Sequence, residues 1–292
     1  MKREDAALLC LTILLASAAV STGAEVGPLR RIPGGIYEAS GATAAPGGRG
    51  ILFVDDGRPD VVFWIELSAD GSATQPPIPI PLGVSIEDPE GITSDGRYVF
   101  VVGSQSRGNT GGAGLVRFRF DAASRRALEV ESIADLKSLL AARLLARNRA
   151  RKHAGLNVEG LAWDAKRRRL LLGLRSPLDG GQALVVPLGL RDGGFTEATL
   201  EVGEPVRLDL GGLGIRGLEA DQEGSFFWVI AGSATDRRAP FRLAQWDGKA
   251  SAVRVVATFP DQLKPEGVVR TKVGEKWMTL VLCDTSRYLL ID

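Results

Sequence analysis

The sequence is poor in the residues from which several familiar sites are built. Its 292 residues include one histidine, His153, and two cysteines, Cys10 and Cys283. A single histidine excludes multi-histidine metal sites within one chain, and because His153 ends a basic stretch we expect it in a loop and not in a catalytic triad or a Cys–His dyad. Cys283 ends the apolar run at residues 279–283, which predicts a buried, unreactive thiol.

The chain also lacks an excess of either charge and a long apolar segment after its N-terminus. Lysine and arginine number 36 and aspartate and glutamate 35, a net charge of +1, so no overall field favours nucleic acid or an anionic membrane.

The N-terminus has the pattern of a targeting segment. Lys2 and Arg3 precede an apolar run over residues 6–20 that is too short to span a bilayer well, and small residues follow at Thr22 and Ala24. This pattern predicts a signal peptide over residues 1–24, with an uncleaved anchor as the alternative, and an exported, periplasmic or secreted product without stable membrane insertion.

A repeat is the most informative feature that the chain does contain. Five times, a glycine that follows a polar or charged residue opens a short apolar strand, and these glycines are separated by 50, 69, 57 and 50 residues. The five pairs are Ser40-Gly41, Glu90-Gly91, Glu159-Gly160, Arg216-Gly217 and Glu266-Gly267. Strand repeats of this length are typical of propeller blades, so the sequence predicts an all-β fold, a single β-propeller over residues 25–292 with five blades, or with six as the alternative.

Three further segments complete the predicted architecture. The proline-rich stretch at residues 75–79 suits an outer edge strand, because proline cannot donate to a ladder. Residues 28–32 are a β-capable run that we expect to pair with the C-terminal blade and close the ring. Residues 132–151 predict one inserted helix with Ser132 as its N-cap, whose basic side is either a solvated face or a flap over one mouth of the channel.

Propeller geometry brings the candidate site residues together. The first residues of each innermost strand cluster near one rim, which predicts that Glu90, Glu159, Arg216 and Glu266 converge. The residues that close the second strands are expected nearby, and they include Asp55, Ser104, Arg175 and Asp284.

Three interpretations of this cluster remain open. In the first, the glutamates are structural and pair with Arg175 or Arg216. In the second, a hard cation such as Ca²⁺ is held by oxygen ligands alone, namely Glu90, Glu159, Glu266 and Asp284.

In the third interpretation, Arg175 and Arg216 form an anion site, with a carboxylate as general base and with Ser104 and Asp55 as further ligand contacts. The last two interpretations combine into metal-assisted phosphoester hydrolysis, in which Glu159 and Arg175 are the candidate catalytic residues.

One motif suggests a cofactor that its context excludes. Residues 212–217 match G-x-G-x-x-G, but a dinucleotide site requires a helix next, and here residues 218–230 predict a strand, a turn and a second strand. We therefore predict no nucleotide, and likewise no haem or zinc.

Three segments resemble a known group of proteins. NVEGLA at residues 157–162, LGLRSP at residues 172–177 and LDLGGLGIRG at residues 208–217 are similar to bacterial exported propellers grouped as a domain of unknown function. DPEGI at residues 88–92 and EASG at residues 38–41 look like phytase-like esterase propellers. The first resemblance implies a propeller, export and a hydrolase role. The second implies that Glu90, Glu159 and Glu266 are metal or water ligands, although Arg216 stands where that pattern has glutamate.

The sequence thus predicts a monomeric propeller that binds a small polar or anionic ligand at the channel rim. The enzymatic form of this hypothesis is a metal-dependent ester or phosphoester hydrolase with Ca²⁺. The alternative is a non-catalytic binding or scaffold propeller whose partner is a protein or a glycan.

Overall fold

The computed structural model describes residues 24–47, 49–106, 111–145, 155–221, 223–235 and 237–292. Over these residues, no helix has both the length and the apolar character that crossing a membrane would need. The predicted signal peptide lies outside the described residues, apart from its final residue, Ala24.

Five antiparallel sheets of four or five strands form the blades of a propeller. The first strand, β1 (Arg30–Arg31), belongs to the last blade. Blade one contains β2 (Ala39–Ala44), β3 (Ile51–Asp55), β4 (Val61–Ile65) and β5 (Ile78–Pro81). Blade two contains β6 (Pro89–Ser94), β7 (Val99–Gly103), β8 (Leu115–Asp121) and β9 (Arg126–Ile133).

Blade three contains β10 (Asn157–Asp164), β11 (Arg169–Ser176), β12 (Ala183–Leu190) and an outer edge divided into β13 (Leu200–Val202) and β14 (Val206–Leu208), which both pair with β12. Blade four contains β15 (Gly214–Ala220), β16 (Phe227–Gly232), β17 (Phe241–Trp246) and β18 (Arg254–Phe259). Blade five contains β19 (Pro265–Val273), β20 (Lys276–Cys283), β21 (Arg287–Ile291) and β1. The prediction of an all-β, five-bladed propeller is confirmed.

The repeated glycines let neighbouring innermost strands touch. A Cβ on Gly91 would lie 2.7 Å from the Cβ of Leu161 in the next blade, and a Cβ on Gly160 would lie 2.7 Å from the Cβ of Leu218. Both distances are too short for side chains, so the close packing around the channel requires glycine at these positions.

Two outer strands lie where the sequence predicts them. Strand β1 pairs with β21 through Arg30 and Tyr288, so the N-terminal segment completes the C-terminal blade. The Tyr288 hydroxyl donates to the Gly71 carbonyl oxygen at 2.9 Å and accepts from the Ala73 N–H at 2.8 Å, which ties blade five to blade one. Strand β5, with its prolines, pairs only with β4 and forms an outer edge.

The helix begins later than predicted. Helix α1 (Leu136–Leu145) follows β9, in which Ser132 pairs with Val116 and is therefore not an N-cap. Asp135 has this role, because its carboxylate accepts a hydrogen bond from the Ser138 N–H at 2.9 Å. The predicted basic end over residues 146–151 and His153 lie outside the described residues, so the proposed flap stays a prediction.

Leu136, Leu140 and Leu144 bury one side of α1 against blades two and three. Arg143 forms an ion pair with Glu204 beside the outer edge of blade three. The described part of the helix is therefore held at the outer side of the propeller.

Candidate functional site

A β-bulge marks the start of the innermost strand in every blade. The strand register shifts between Pro89 and Gly91 in β6, and equivalent shifts occur in β2, β10, β15 and β19. In four blades the residue left without a cross-strand partner is the one before the repeated glycine: Glu90, Glu159, Arg216 and Glu266. Bulges redirect side chains, and here they bring four charged groups from four blades to one rim of the channel.

Glu159 is the centre of an ion-pair network at this rim. Its side chain is 3% exposed and lies 2.9 Å from Nη1 of Arg216 and 3.1 Å from Nη1 of Arg175. Arg216 also pairs with Glu266 through Nη2. Asn157 donates a further hydrogen bond to Glu159 at 2.9 Å. A buried glutamate, Glu159, and a partly buried one, Glu266, thus share one nearly buried guanidinium.

Burial and charge pairing act in opposite directions on these groups. Burial raises the pKa of Glu159 and of Glu266, although the arginine partners lower it. Burial alone would lower the pKa of Arg216, but Glu159 and Glu266 raise it above its ordinary value. The guanidinium therefore stays charged and neutralises part of the acidic rim.

Glu90 has little such compensation, since only the charge of Arg216 lowers its pKa. Among the described residues its carboxylate makes no hydrogen bond or ion pair, and burial together with Glu159, Glu266 and Asp88 raises its pKa well above the ordinary value. A carboxyl group in this position holds a proton or attracts a cation, because an isolated buried carboxylate is unfavourable.

A second carboxylate group forms where β2 begins and β3 ends. Glu38, Asp55 and Asp56 each place one carboxylate oxygen within 4.8 Å of the others. Within the described chain, Oδ1 of Asp56 is buried without a hydrogen-bond partner. Burial, then Glu38, Asp55 and Glu266, raises the pKa of Asp56 to about 7.

Asp55 is the anchored member of this group. It accepts a hydrogen bond from the Gly57 N–H at 3.0 Å, while burial raises its pKa and Glu38 adds to the rise. The influence of Glu266 on Asp56 shows that this group and the central network share one electrostatic field. We refer to Glu38, Asp55 and Asp56 as the blade-one triad.

The remaining predicted site residues lie in local pairs. Ser104 is buried and donates to Oδ2 of Asp88 at 2.6 Å, beside Glu90 in sequence. Asp284 pairs with Lys264 at 2.8 Å. Arg175 donates to the backbone carbonyl oxygen of Ser233 at 3.2 Å as well as to Glu159, so its orientation is fixed.

Sequence reasoning missed a buried carboxyl group farther along the channel. Glu219 accepts hydrogen bonds from the hydroxyls of Thr43 at 2.6 Å and Thr93 at 2.8 Å, which come from two other blades. Burial raises its pKa to about 8. The signal was present, since each of these residues stands two positions after a repeated glycine and alternate residues share one face of a strand.

The rim carries more carboxylates than cations. Among the described residues, eight carboxylates are opposed by Arg175, Arg216 and Lys264, each already paired with one of them, and by Arg58, whose charge lowers the pKa of Asp55. The eight carboxylates are those of Glu38, Asp55, Asp56, Asp88, Glu90, Glu159, Glu266 and Asp284. Chemically, the site can accept a cation or protons more readily than a free anion.

Comparison with known proteins adds a family and a fold. Residues 133–277 match the model of a family described as protein of unknown function (DUF3616), which confirms the resemblance to a family of unknown function. No curated protein matches the chain. The phytase-like resemblance stays a prediction.

Solved structures with the same architecture include two of carbohydrate-active enzymes family AA12 from Trichoderma reesei. Both share 12% sequence identity and a TM-score of 0.50 with this chain and cover 94% of it; they are described as an iodide structure, of which 97% is covered, and a calcium structure, of which 96% is covered. The holo form of the pyranose dehydrogenase PQQ domain from Coprinopsis cinerea shares 10% identity and a TM-score of 0.50, with 92% of this chain and 97% of that chain covered. At these identities the likeness concerns the fold.

Proposed function

We propose that this propeller, whose residues 133–277 match a family of unknown function, binds a divalent cation at its acidic rim and through it a small polar or anionic ligand. The observation that carries the proposal is the buried Oδ1 of Asp56, which has no hydrogen-bond partner within the described chain and belongs to a carboxylate with one oxygen within 4.8 Å of oxygens of Glu38 and Asp55. A cation would satisfy this oxygen and remove the repulsion within the triad.

The chemistry of the donors favours calcium. The triad offers oxygen atoms only, and Ca²⁺ takes six to eight oxygen ligands in flexible geometry, whereas zinc prefers nitrogen and sulfur. One AA12 propeller of the same fold is described as a calcium structure. Glu266 strengthens the negative field around the triad without having to coordinate the ion.

We further propose that the ligand is an ester or phosphoester that the protein hydrolyses. A bound cation would polarise the ester oxygen and lower the pKa of an adjacent water. Glu90 is suited to hold and pass on a proton, because its pKa is raised well above the ordinary value and its carboxylate has no partner among the described residues.

Glu159 and Arg175, which the sequence predicts as catalytic residues of a phosphoester hydrolase, remain the candidate catalytic residues. Their positions assign one role to each. Arg175 is held by Glu159 and by the Ser233 carbonyl oxygen, so it presents a fixed positive charge to an anionic group. Glu159, shared between Arg175 and Arg216, can orient an attacking water through its carboxylate oxygens.

The competing candidate is a non-catalytic binding propeller. It is favoured by the pairing of Arg216 with both Glu159 and Glu266, which a purely structural network would also show. We treat export, a monomeric state and the absence of a nucleic-acid partner as parts of the proposal, to be checked by N-terminal sequencing and by the mass of the purified protein in solution.

Calcium titration tests the first step. Calorimetry on the metal-free protein should show one Ca²⁺ per chain, and Asp56→Asn should abolish this binding. Asp192→Asn, an exposed aspartate in the blade-three hairpin, is the matched control and should bind like the wild type. If the wild type binds no Ca²⁺, Mg²⁺ or Mn²⁺, the cation proposal is wrong.

An ester and phosphoester panel tests the second step. Turnover that requires the cation and is lost in Glu159→Gln and Arg175→Ala supports hydrolysis. Cation binding without any turnover supports the non-catalytic candidate.

A further inference from the structure

A cavity of ≈ 540 Å³ opens between blades four and five, away from the rim. Its wall includes Asp221, which follows the end of β15, and Arg254, where β18 begins. Because the innermost strands start at the rim, their ends mark the opposite face of the propeller. The volume lies within the range of small-molecule sites, about 300–1,000 Å³.

One residue of the cavity wall, Trp228, contains an unsatisfied donor. Trp228 is 4% exposed, and within the described chain its buried Nε1–H has no hydrogen-bond partner. By contrast, the indole of Trp64 donates to the Arg49 carbonyl oxygen at 3.0 Å, and that of Trp246 donates to the Ala250 carbonyl oxygen at 2.7 Å. Buried indole N–H groups usually find a partner, so Trp228 has a donor available for a ligand.

An exposed aromatic side chain, Trp277, also lines the cavity. It is 42% exposed, although it is a large hydrophobic residue. Lys272 places its ammonium nitrogen 5.5 Å from the centroid of the Trp277 ring. Phe226 packs edge-on against Trp228, with ring centroids 5.1 Å apart and an angle of 78° between the planes, which fixes the orientation of the Trp228 indole.

The polar lining contains both signs of charge. Asp221 and Glu223 offer carboxylates, Arg254 and Arg270 offer guanidinium groups, and Gln245 adds an amide. A ligand with a net charge would meet repulsion from one of the two sets. A neutral ligand rich in hydroxyl groups can donate to the carboxylates and accept from the guanidinium groups at the same time.

We propose that this cavity is a carbohydrate-binding site for one pyranose ring of a neutral sugar. The C–H face of the ring packs on the exposed indole of Trp277, and a ring hydroxyl oxygen accepts the hydrogen bond from Nε1 of Trp228. The charged side chains of the wall bind the remaining hydroxyls. This site is independent of the rim and of the function proposed for it.

Calorimetric titration of the full-length protein with D-glucose, D-galactose, N-acetylglucosamine and cellobiose tests the proposal. At least one of these sugars should bind with one site per chain and change the tryptophan fluorescence. Trp277→Ala should weaken that binding at least about tenfold, because it removes the stacking surface. Trp228→Phe, which keeps a ring in place and removes only the donor, should weaken it about five- to tenfold.

Two controls separate this site from unspecific effects and from the rim. Leu128→Ala removes an equally exposed apolar side chain, 41% exposed, from blade two and should leave binding unchanged. Asp56→Asn should also leave it unchanged. The proposal is overturned if none of the four sugars binds at about 50 mM, far above a millimolar Kd, or if Trp277→Ala and Trp228→Phe, folded by circular dichroism, bind like the wild type.

Discussion

Arg216 of blade four lies 2.9 Å from Glu159 of blade three, with Nη1 facing Oε2. The same guanidinium reaches Glu266 of blade five through Nη2, so one cation links three consecutive blades. Glu159, Arg216 and Glu266 come from the innermost strands of these three blades, and each of the three stands in a β-bulge. Arg216 therefore belongs to a highly charged site and also links the innermost strands of blades three, four and five.

Removing this cation should destabilise the propeller strongly. Arg216→Met leaves Glu159 and Glu266 buried without their shared partner, and breaking a buried pair in this way costs about 3–5 kcal/mol. Urea unfolding should show the loss. Arg191→Met is the matched control, since Arg191 and Glu201 form an exposed pair whose removal should cost less than about 1 kcal/mol.

A compensating change sharpens this test. Combining Arg216→Met with Glu159→Gln and Glu266→Gln should restore a large part of the stability, because neutral amides are less costly to bury than unpaired carboxylates. If the triple variant is no more stable than Arg216→Met alone, the arginine acts through packing and not through charge.

Glu219 should make the protein less stable as the pH rises. Its pKa is raised from 4.5 to about 8 in the folded chain, so the folded state binds the proton more tightly than the unfolded state does. The contribution is fully present below pH about 4.5 and is lost progressively as the pH rises through about 8. The total loss is on the order of a few kcal/mol, at about 1.4 kcal/mol per pKa unit.

Unfolding free energies measured from about pH 4 to about pH 9 check this prediction, because this range includes both the ordinary Glu219 pKa of 4.5 and the folded-state pKa of about 8. Glu219→Gln should flatten the decline, because an amide does not titrate. Glu275→Gln, an exposed hairpin residue, should follow the wild-type curve. A wild-type curve that is already flat over this range would contradict the assignment.

The sequence was sufficient to predict which charged residues meet near the channel axis, but not how they pair with one another. Glu90, Glu159, Arg216 and Glu266 could be placed together because a repeat that fixes one position in every blade also fixes its place near the axis. Their pairing partners could not be ranked, since whether Arg216 meets Glu159, Glu266 or a ligand depends on side-chain distances that the repeat does not encode.

The blade-one triad and the start of the helix depended on local register. Glu38 joins Asp55 and Asp56 because Ala39 of β2 pairs with Asp55 of β3, and the repeat does not encode which acidic side chains this pairing brings together. Ser132 can begin a helix or extend a strand, and its pairing with Val116 in the neighbouring strand decides for the strand. In both places tertiary pairing overrides the local pattern.

Adding a side chain at one of the repeated glycines of the innermost strands should weaken the packing between blades. In Gly91→Ala the new methyl group would lie 2.7 Å from the Cβ of Leu161, so the innermost strands of blades two and three would have to move apart. Overpacking of this kind costs about 1–3 kcal/mol, and thermal unfolding should show a lower Tm. In Gly155→Ala no atom of the described residues lies within 4 Å of the added carbon, so this variant should leave the Tm nearly unchanged.

Calcium binding at the blade-one triad should depend on pH in a direction set by Asp56. A carboxyl group must lose its proton to coordinate a metal, and burial with the neighbouring carboxylates raises the pKa of Asp56 to about 7. The Kd for Ca²⁺ should therefore fall by up to about tenfold per pH unit as the pH rises towards 7, and it should level off above that value. Calorimetry in two buffers with different ionisation enthalpies should show release of about one proton per Ca²⁺ near pH 6.

Two variants serve as controls for this pH dependence. In Asp55→Asn, which leaves Asp56 with fewer charged neighbours, the Kd for Ca²⁺ should become independent of pH at a lower pH than in the wild type. In Asp192→Asn it should become independent of pH where it does in the wild type. A Kd that does not change between pH 5.5 and 8, on either side of the Asp56 pKa of about 7, would show that Asp56 does not coordinate the ion.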